Sequence, residues 1–153
     1  MDAVTYPHKT VQQFVHDHFV ASKIEFKAEP ALVERQNVVW TPTLQFIDPE
    51  TKIGVVRHQF TGYLPPDDFL SQCYLALGQY HFHRKEYEKA SSWFLKIEKD
   101  FPKSSDIAES LYWAGAIDYK KTGGKEGLLA LWKRMLSLYP DSVWTKKVSF
   151  LKK

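Results

Sequence analysis

The first part of the chain changes between two spacings of hydrophobic residues. Residues 8–18, which follow Pro7, carry apolar side chains at helical spacing, and this predicts an amphipathic helix. Residues 22–27 alternate apolar and charged side chains, and this two-residue period predicts a strand with one buried face. Residues 29–36 begin with a proline near the first turn and predict a short helix. The predicted order is therefore helix, strand, helix.

A hairpin is predicted next. Residues 43–47 form a strand-forming run directly after Thr41-Pro42. Residues 48–51 have the composition of a turn, because aspartate and proline both favour that geometry. Residues 53–60 then read as the second strand of the hairpin.

The rest of the chain is predicted to be helical. The composition shifts near residue 70, so we expect a first domain over residues 1–72 and a second over residues 73–153. The helices are predicted to begin near Pro65, Glu86, Asp106 and Lys125.

Composition and charge narrow the classes of function. The chain has 153 residues, of which 44% are hydrophobic and 25% charged, as in folded globular proteins. Its net charge of +3 comes with scattered lysine pairs, which argues against nucleic-acid binding. No apolar run approaches the ~20 residues of a membrane span, and the N-terminus does not resemble a signal peptide. We expect a soluble cytoplasmic protein that binds neither nucleic acid nor membranes.

Few residues offer chemistry for catalysis or metal binding. Cys73 is the only cysteine and lies in an apolar run, so we expect it in the core rather than in a disulfide or as a nucleophile. His16 and His18, and likewise His81 and His83, lie two residues apart on predicted helices, where side chains diverge by about 200°. They are poor chelating pairs. We expect no metal, no cofactor and no catalytic residue in this chain.

The second half contains an internal repeat. Phe94 lies eight residues before Pro102, and Trp132 lies eight residues before Pro140. The two prolines are 38 residues apart, close to the ~34-residue period of a tetratricopeptide repeat. The alternative is a plain pair of helical hairpins whose aromatic residues only fill a core.

The first copy resembles a tetratricopeptide repeat closely. Leu77-Gly78, Ala90, Phe94 and Pro102 fall at the small, aromatic and proline positions of that family. The second copy keeps Gly115, Trp132 and Pro140 but has Leu128 where the family has a small residue. Small residues let two antiparallel helices approach, an aromatic ring fills the wedge between them, and proline ends the second helix.

The first half resembles a thioredoxin domain over roughly residues 1–72. The segment Val39-Trp40-Thr41-Pro42-Thr43 resembles the loop that carries the family's cis-proline, so we expect a cis Thr41-Pro42 bond rather than the trans form. The Asp48-Pro49-Glu50 turn and Gly62 also match the family's pattern.

The resemblance also implies what this chain lacks. Residues 1–6 resemble the segment that follows the family's first active-site helix, which would place a Cys-x-x-Cys motif and the central strand upstream of Met1. The expected fold is therefore α/β, with a partial thioredoxin-like fold followed by an all-α tetratricopeptide-like module. Chaperedoxin-type holdases of bacteria share this domain order.

These resemblances imply two functions. The first is a redox-inactive protein-binding module, of chaperone or adaptor type, that either associates with itself or binds other proteins or peptides. The second is a fragment of a thiol-disulfide oxidoreductase whose cysteines lie outside this sequence. For the first function, we expect a bound peptide to contact Thr41, Pro42, Leu75, Phe82, Tyr112 and Tyr119.

Overall fold

The computed structural model describes residues 1–52 and 54–152. Over these residues the protein is mixed α/β and mostly helical, with seven α-helices, a final 3₁₀ helix and one two-stranded antiparallel sheet. The chain divides into two compact units, Met1–Leu70 and Ser71–Lys153. The division lies two residues before the boundary drawn from composition.

The first unit contains two short helices and a hairpin. The two predicted helices and the first predicted strand are confirmed, with boundaries that agree to within two residues. The second strand was predicted to begin at Ile53, which lies outside the described residues. The elements are α1 (Lys9–His18), α2 (Pro30–Arg35), β1 (Thr43–Asp48) and β2 (Val55–Thr61).

The predicted strand over residues 22–27 is wrong. This segment is irregular, with a turn at its end, and its apolar side chains Ile24 and Phe26 are 50% and 44% exposed. A strand persists only when its backbone pairs with a neighbour, and within the described residues the sheet consists of β1 and β2. The alternating segment therefore joins neither open edge of this sheet.

The hairpin is fixed by a buried ion pair at its turn. Asp48 is 3% exposed and its Oδ2 accepts hydrogen bonds from Arg57 Nε at 3.1 Å and Nη2 at 2.9 Å. The other oxygen of Asp48 accepts the backbone N–H of Glu50 at 3.1 Å. Both carboxylate oxygens therefore have donors, which offsets the cost of burying this charge.

A row of aromatic rings, three of them half-buried, runs through the first unit. Phe19 contacts Phe46 on β1, with ring centroids 5.2 Å apart, and Phe46 lies 6.2 Å from Phe60 on β2. Phe60 in turn meets Phe69 edge to face at 6.0 Å. Phe46 and Phe60 thus supply one half-buried face of the sheet.

The helical elements begin within one residue of their predicted starts. The last two elements, a five-residue helix and the 3₁₀ helix, had no sequence prediction. The helices are α3 (Pro66–His83), α4 (Tyr87–Asp100), α5 (Ile107–Thr122), α6 (Glu126–Leu138) and α7 (Val143–Lys147), followed by the 3₁₀ helix Ser149–Lys152.

Two glycines set how closely the helices of the second unit approach. A β-carbon added at Gly78 on α3 would lie 2.7 Å from Cζ of Phe94 on α4. One added at Gly115 on α5 would lie 2.9 Å from Nε1 of Trp132 on α6. These contacts would force a neighbour to shift, so each helix pair is packed through a glycine facing a ring, as the repeat pattern predicts.

Candidate functional site

Cys73 lies in the core of the helical unit, as predicted. Its side chain is 0% exposed, and burial raises the pKa of the thiol because the thiolate loses its hydration. A thiol of this kind is a weak nucleophile and is out of reach of solvent. The Cys73 side chain therefore packs in the core as a small apolar group on α3.

The histidine pairs have no metal-binding neighbourhood in the part of the chain that the structure describes. No group of three or more His, Cys, Asp or Glu side chains is placed there to hold an ion. His81 instead bonds Glu86, with Nδ1 and Oε2 2.7 Å apart. That bond, and then the hydrogen bond from Lys89, lowers the pKa of Glu86 to about 2. His81 thus helps to join the end of α3 to the turn before α4.

The Thr41-Pro42 peptide bond is cis, as predicted. The loop is tied to the hairpin because Gly62 N–H donates to the carbonyl of Pro42 at 2.8 Å. The hydroxyl of Thr43 donates to the carbonyl of Trp40 at 2.7 Å. Trp40 is 67% exposed. The loop therefore presents a large apolar side chain immediately before the two residues that we expected to contact a peptide.

Two of the expected contact residues in the helical unit meet at one surface. Phe82 on α3 and Tyr112 on α5 both contact Trp113, each with ring centroids 5.5 Å apart. Trp144 on α7 joins them, with its ring centroid 5.1 Å from that of Tyr112 and 6.1 Å from that of Trp113. All four side chains are half-buried. We call Phe82, Tyr112, Trp113 and Trp144 the aromatic cluster.

Hydrogen bonds and stacking hold this cluster in place. Trp132 stacks on Tyr112 with centroids 5.1 Å apart and planes at 8°, while its Nε1 donates to the carbonyl of Tyr112 at 3.0 Å. Trp113 Nε1 donates to Oε1 of Glu109 at 3.2 Å. The rings are therefore ordered before any ligand arrives.

Leu75 is a correction to the expected contact surface. It is 0% exposed, and Cys73, about 200° away around the helix, is also 0% exposed, so α3 is enclosed on opposite sides here. No ligand reaches Leu75 in this structure. Tyr119 is 41% exposed and stands outside the aromatic cluster.

Charged groups border the aromatic cluster on one side. Glu109 is half-buried, and burial raises the pKa of its carboxyl to about 7, with a further contribution from the negative charge of Asp106. The hydrogen bond from Trp113 and the positive charge of Lys147 act in the opposite direction. Lys147 Nζ lies 3.7 Å above the centre of the Trp144 ring. A carboxyl and an ammonium group thus flank two tryptophans.

Four of these residues were not predicted from the sequence: Glu109, Trp113, Trp144 and Lys147. Glu109 lies four residues before Trp113, a spacing that places these two side chains on one helix face. The sequence therefore contained a signal for their contact. Trp144 and Lys147 lie on α7, for which no helix was predicted. The remaining expected residues, Thr41 and Pro42, belong to the other unit.

No described helix is both long enough and apolar enough to cross a membrane. No model of a known protein family, no curated protein and no solved structure matches this chain.

Proposed function

We propose that this chain is a redox-inactive protein-binding module, in which a partial thioredoxin-like unit precedes a tetratricopeptide-like helical unit, and that it acts as an adaptor or chaperone-like protein. The observation that carries this proposal is the aromatic cluster, whose four large rings are half-exposed on one surface of the helical unit. The ligand is another protein or a peptide.

Ordered, half-exposed aromatic side chains favour protein binding for two reasons. Tyrosine, tryptophan and phenylalanine are enriched at the centres of protein interfaces, where each buries a large apolar area. Rings already fixed by neighbours lose little conformational freedom when a ligand covers them. Trp113 is fixed by Glu109 and Tyr112 by Trp132, so this surface is preorganised.

Two observations support the proposed architecture. In the helical unit, α4 and α6 each end shortly before a proline, Pro102 and Pro140, after packing an aromatic ring onto a glycine of the preceding helix. In the first unit, the cis bond before Pro42 leads directly into a hairpin whose second strand ends next to Gly62. Both agree with the resemblances on which the proposal is based.

The proposal assigns no redox chemistry to this chain. Thiol-disulfide exchange needs a reactive thiolate and a second thiol to resolve the mixed disulfide. The sequence has one cysteine, and its thiol is buried. The oxidoreductase alternative rests on cysteines outside this sequence.

Selection from a random peptide library followed by calorimetry tests the proposal. We expect peptides that bind with micromolar affinity and that lose about 1 kcal/mol or more of binding free energy when Phe82 is changed to alanine. Leu95→Ala is the matched control, because Leu95 is an exposed apolar residue of the same unit, 42% exposed, on α4. Thermal melts establish that both variants fold. Failure to select any peptide, or equal losses in the two variants, would overturn the proposal.

A further inference from the structure

We propose that the Trp144 ring, with Glu109 and Asp106 beside it, is a cation-recognition site for a lysine or arginine side chain of the bound protein, and that Lys147 occupies this ring in the unbound chain. This inference rests on the proposed protein-binding function and specifies the chemistry of the ligand.

A cation already lies over the Trp144 ring. Lys147 Nζ lies 3.7 Å from the centre of the Trp144 ring, well inside the ~6 Å range of cation–π attraction. Tryptophan is the side chain that attracts cations most strongly in this way. The ammonium of Lys147 is thus a stand-in, within the same chain, for the charged group of a ligand.

The cleft beside Trp144 is lined by negative charge. Trp144 and Tyr139 line a cleft of about 550 Å³ next to the start of α5. Its charged lining residues are two carboxylates, Asp106 and Asp141, and no lysine or arginine lines it. A cleft with charge of one sign concentrates ligands of the opposite sign. An acidic ligand segment would be repelled here, whereas a basic one is attracted.

The carboxyl of Glu109 also favours a cationic ligand. Its hydrogen-bond donor is the neutral indole of Trp113, 3.2 Å away, and burial disfavours its charged form. The charged groups that act on it are Asp106, from the start of α5, and Lys147, from α7. The facing stretch of α3 between Asp68 and His81 contains no charged residue. A ligand cation that takes the place of Lys147 at Trp144 would keep a positive charge near Glu109 and so favour its charged form.

Lys147 can be replaced by a ligand without disturbing the core. Its side chain is exposed, and α7 is anchored by other residues, Thr145 and Val148, which are 1% and 0% exposed. The hydroxyl of Thr145 donates to the carbonyl of Tyr139 at 2.6 Å. Swinging the lysine away from Trp144 breaks no hydrogen bond of this anchor. Lys147 therefore competes with the ligand rather than holding the helix.

The test uses n-butylammonium chloride, which reproduces the end of a lysine side chain, and n-butanol as its neutral counterpart. Binding is followed by the NMR shifts of the indole N–H groups of Trp113 and Trp144, at constant ionic strength and at about pH 8, above the pKa of Glu109. We expect a saturable shift with butylammonium and none with butanol.

Two variants separate competition from a structural role. Lys147→Met, which keeps the apolar stem, should bind butylammonium about two- to fivefold more tightly, because an exposed competing cation is removed. Lys146→Met is the matched control on the same helix and should bind like the wild type. Glu109→Gln should bind more weakly. Equal shifts with butanol, or Lys147→Met binding no more tightly than Lys146→Met, would overturn the inference.

This result is distinguishable from failure of the proposed function. If selected peptides depend on Phe82 but bind equally well when their basic residues are replaced by glutamine, the protein-binding function stands and the cation site is wrong. If no peptide is selected while butylammonium still binds at Trp144, the cation site stands and the protein-binding function is wrong.

Discussion

Phe94 occupies the space that a side chain at position 78 would need. A β-carbon at Gly78 would lie between 2.7 and 2.9 Å from three carbon atoms of the Phe94 ring, whose side chain is 0% exposed. The ring is enclosed by the core and cannot swing away as a flexible surface side chain would. The close approach of α3 and α4 therefore depends on a glycine at this position.

Gly78→Ala should destabilise the protein. Alanine favours a helix interior by about 1 kcal/mol over glycine, but the overpacking at Phe94 costs about 1 to 3 kcal/mol or more, so we expect a net loss. Urea unfolding measures it. Gly127→Ala on α6 is the matched control, because the added β-carbon there meets the end of the Asp118 side chain, which can move. A Gly78 variant as stable as the Gly127 variant would contradict this packing.

Glu109 should make stability fall as pH rises. Its pKa is raised to about 7 from an ordinary 4.5, so between these values the folded state holds a proton that the unfolded state has lost. The protonated carboxyl therefore makes its full contribution to the free energy of unfolding below about pH 4.5. This contribution, up to about 3 kcal/mol, is lost as pH rises through the folded pKa of about 7. Glu109→Gln keeps an acceptor for Trp113 and should abolish this dependence.

The measurement is urea unfolding of both proteins at several pH values from about 4.5 to 8. The two stabilities should differ little at the acidic end, and the glutamine variant should be the more stable at the basic end. Glu126→Gln, at an exposed position of α6, serves as the control. Parallel curves for Glu109→Gln and wild type would show that Glu109 is ionised normally.

Cys73 should react only when the protein unfolds. The thiol is fully buried with a raised pKa, so a thiol reagent should label it slowly in the native protein and completely in denaturant. Cys73→Ser supplies the blank. Insulin reduction by the 153-residue chain should be absent, because a second thiol is needed for turnover. Rapid native labelling would show that α3 opens to solvent.

Self-association is expected at micromolar concentration. Exposed apolar side chains are concentrated in the first unit: Val39 is 83% exposed, Trp40 67% and Ile24 50%. Such side chains favour association when they cluster. Sedimentation equilibrium of the wild type and of Trp40→Ser, with Tyr63→Ser as an exposed aromatic control, measures the effect. A wild type that remains monomeric and binds no hydrophobic dye would contradict it.

The sequence predicted elements well where local chemistry determines them. The proline and the acidic residues at the start of α3, and the turn residues around Asp48, mark boundaries that the structure keeps. The segment at residues 22–27 failed because alternation describes a face that can be buried, while a strand also needs a partner for its backbone.

The candidate site was predicted less well. Phe82 on α3 and Tyr112 on α5 both contact Trp113 in the aromatic cluster. Leu75 lies seven residues before Phe82, a spacing that places both on one side of α3, but it is fully buried in the core. Trp144 and Lys147 reach the site through α7, a helix of five residues, too short for periodicity to reveal. Tertiary packing, which spacing alone does not encode, decided these positions.

The distribution of the five tryptophans gives each unit its own optical signal. Trp40 is the tryptophan of the first unit and is 67% exposed, so its emission should be red-shifted and readily quenched by a soluble collisional quencher. The other four lie half-buried in the helical unit, and the stacking of Tyr112 on Trp132 should add a near-ultraviolet circular dichroism band. With Trp40→Phe as the reference, denaturation of the two units can be followed separately, without an added dye, in a single sample.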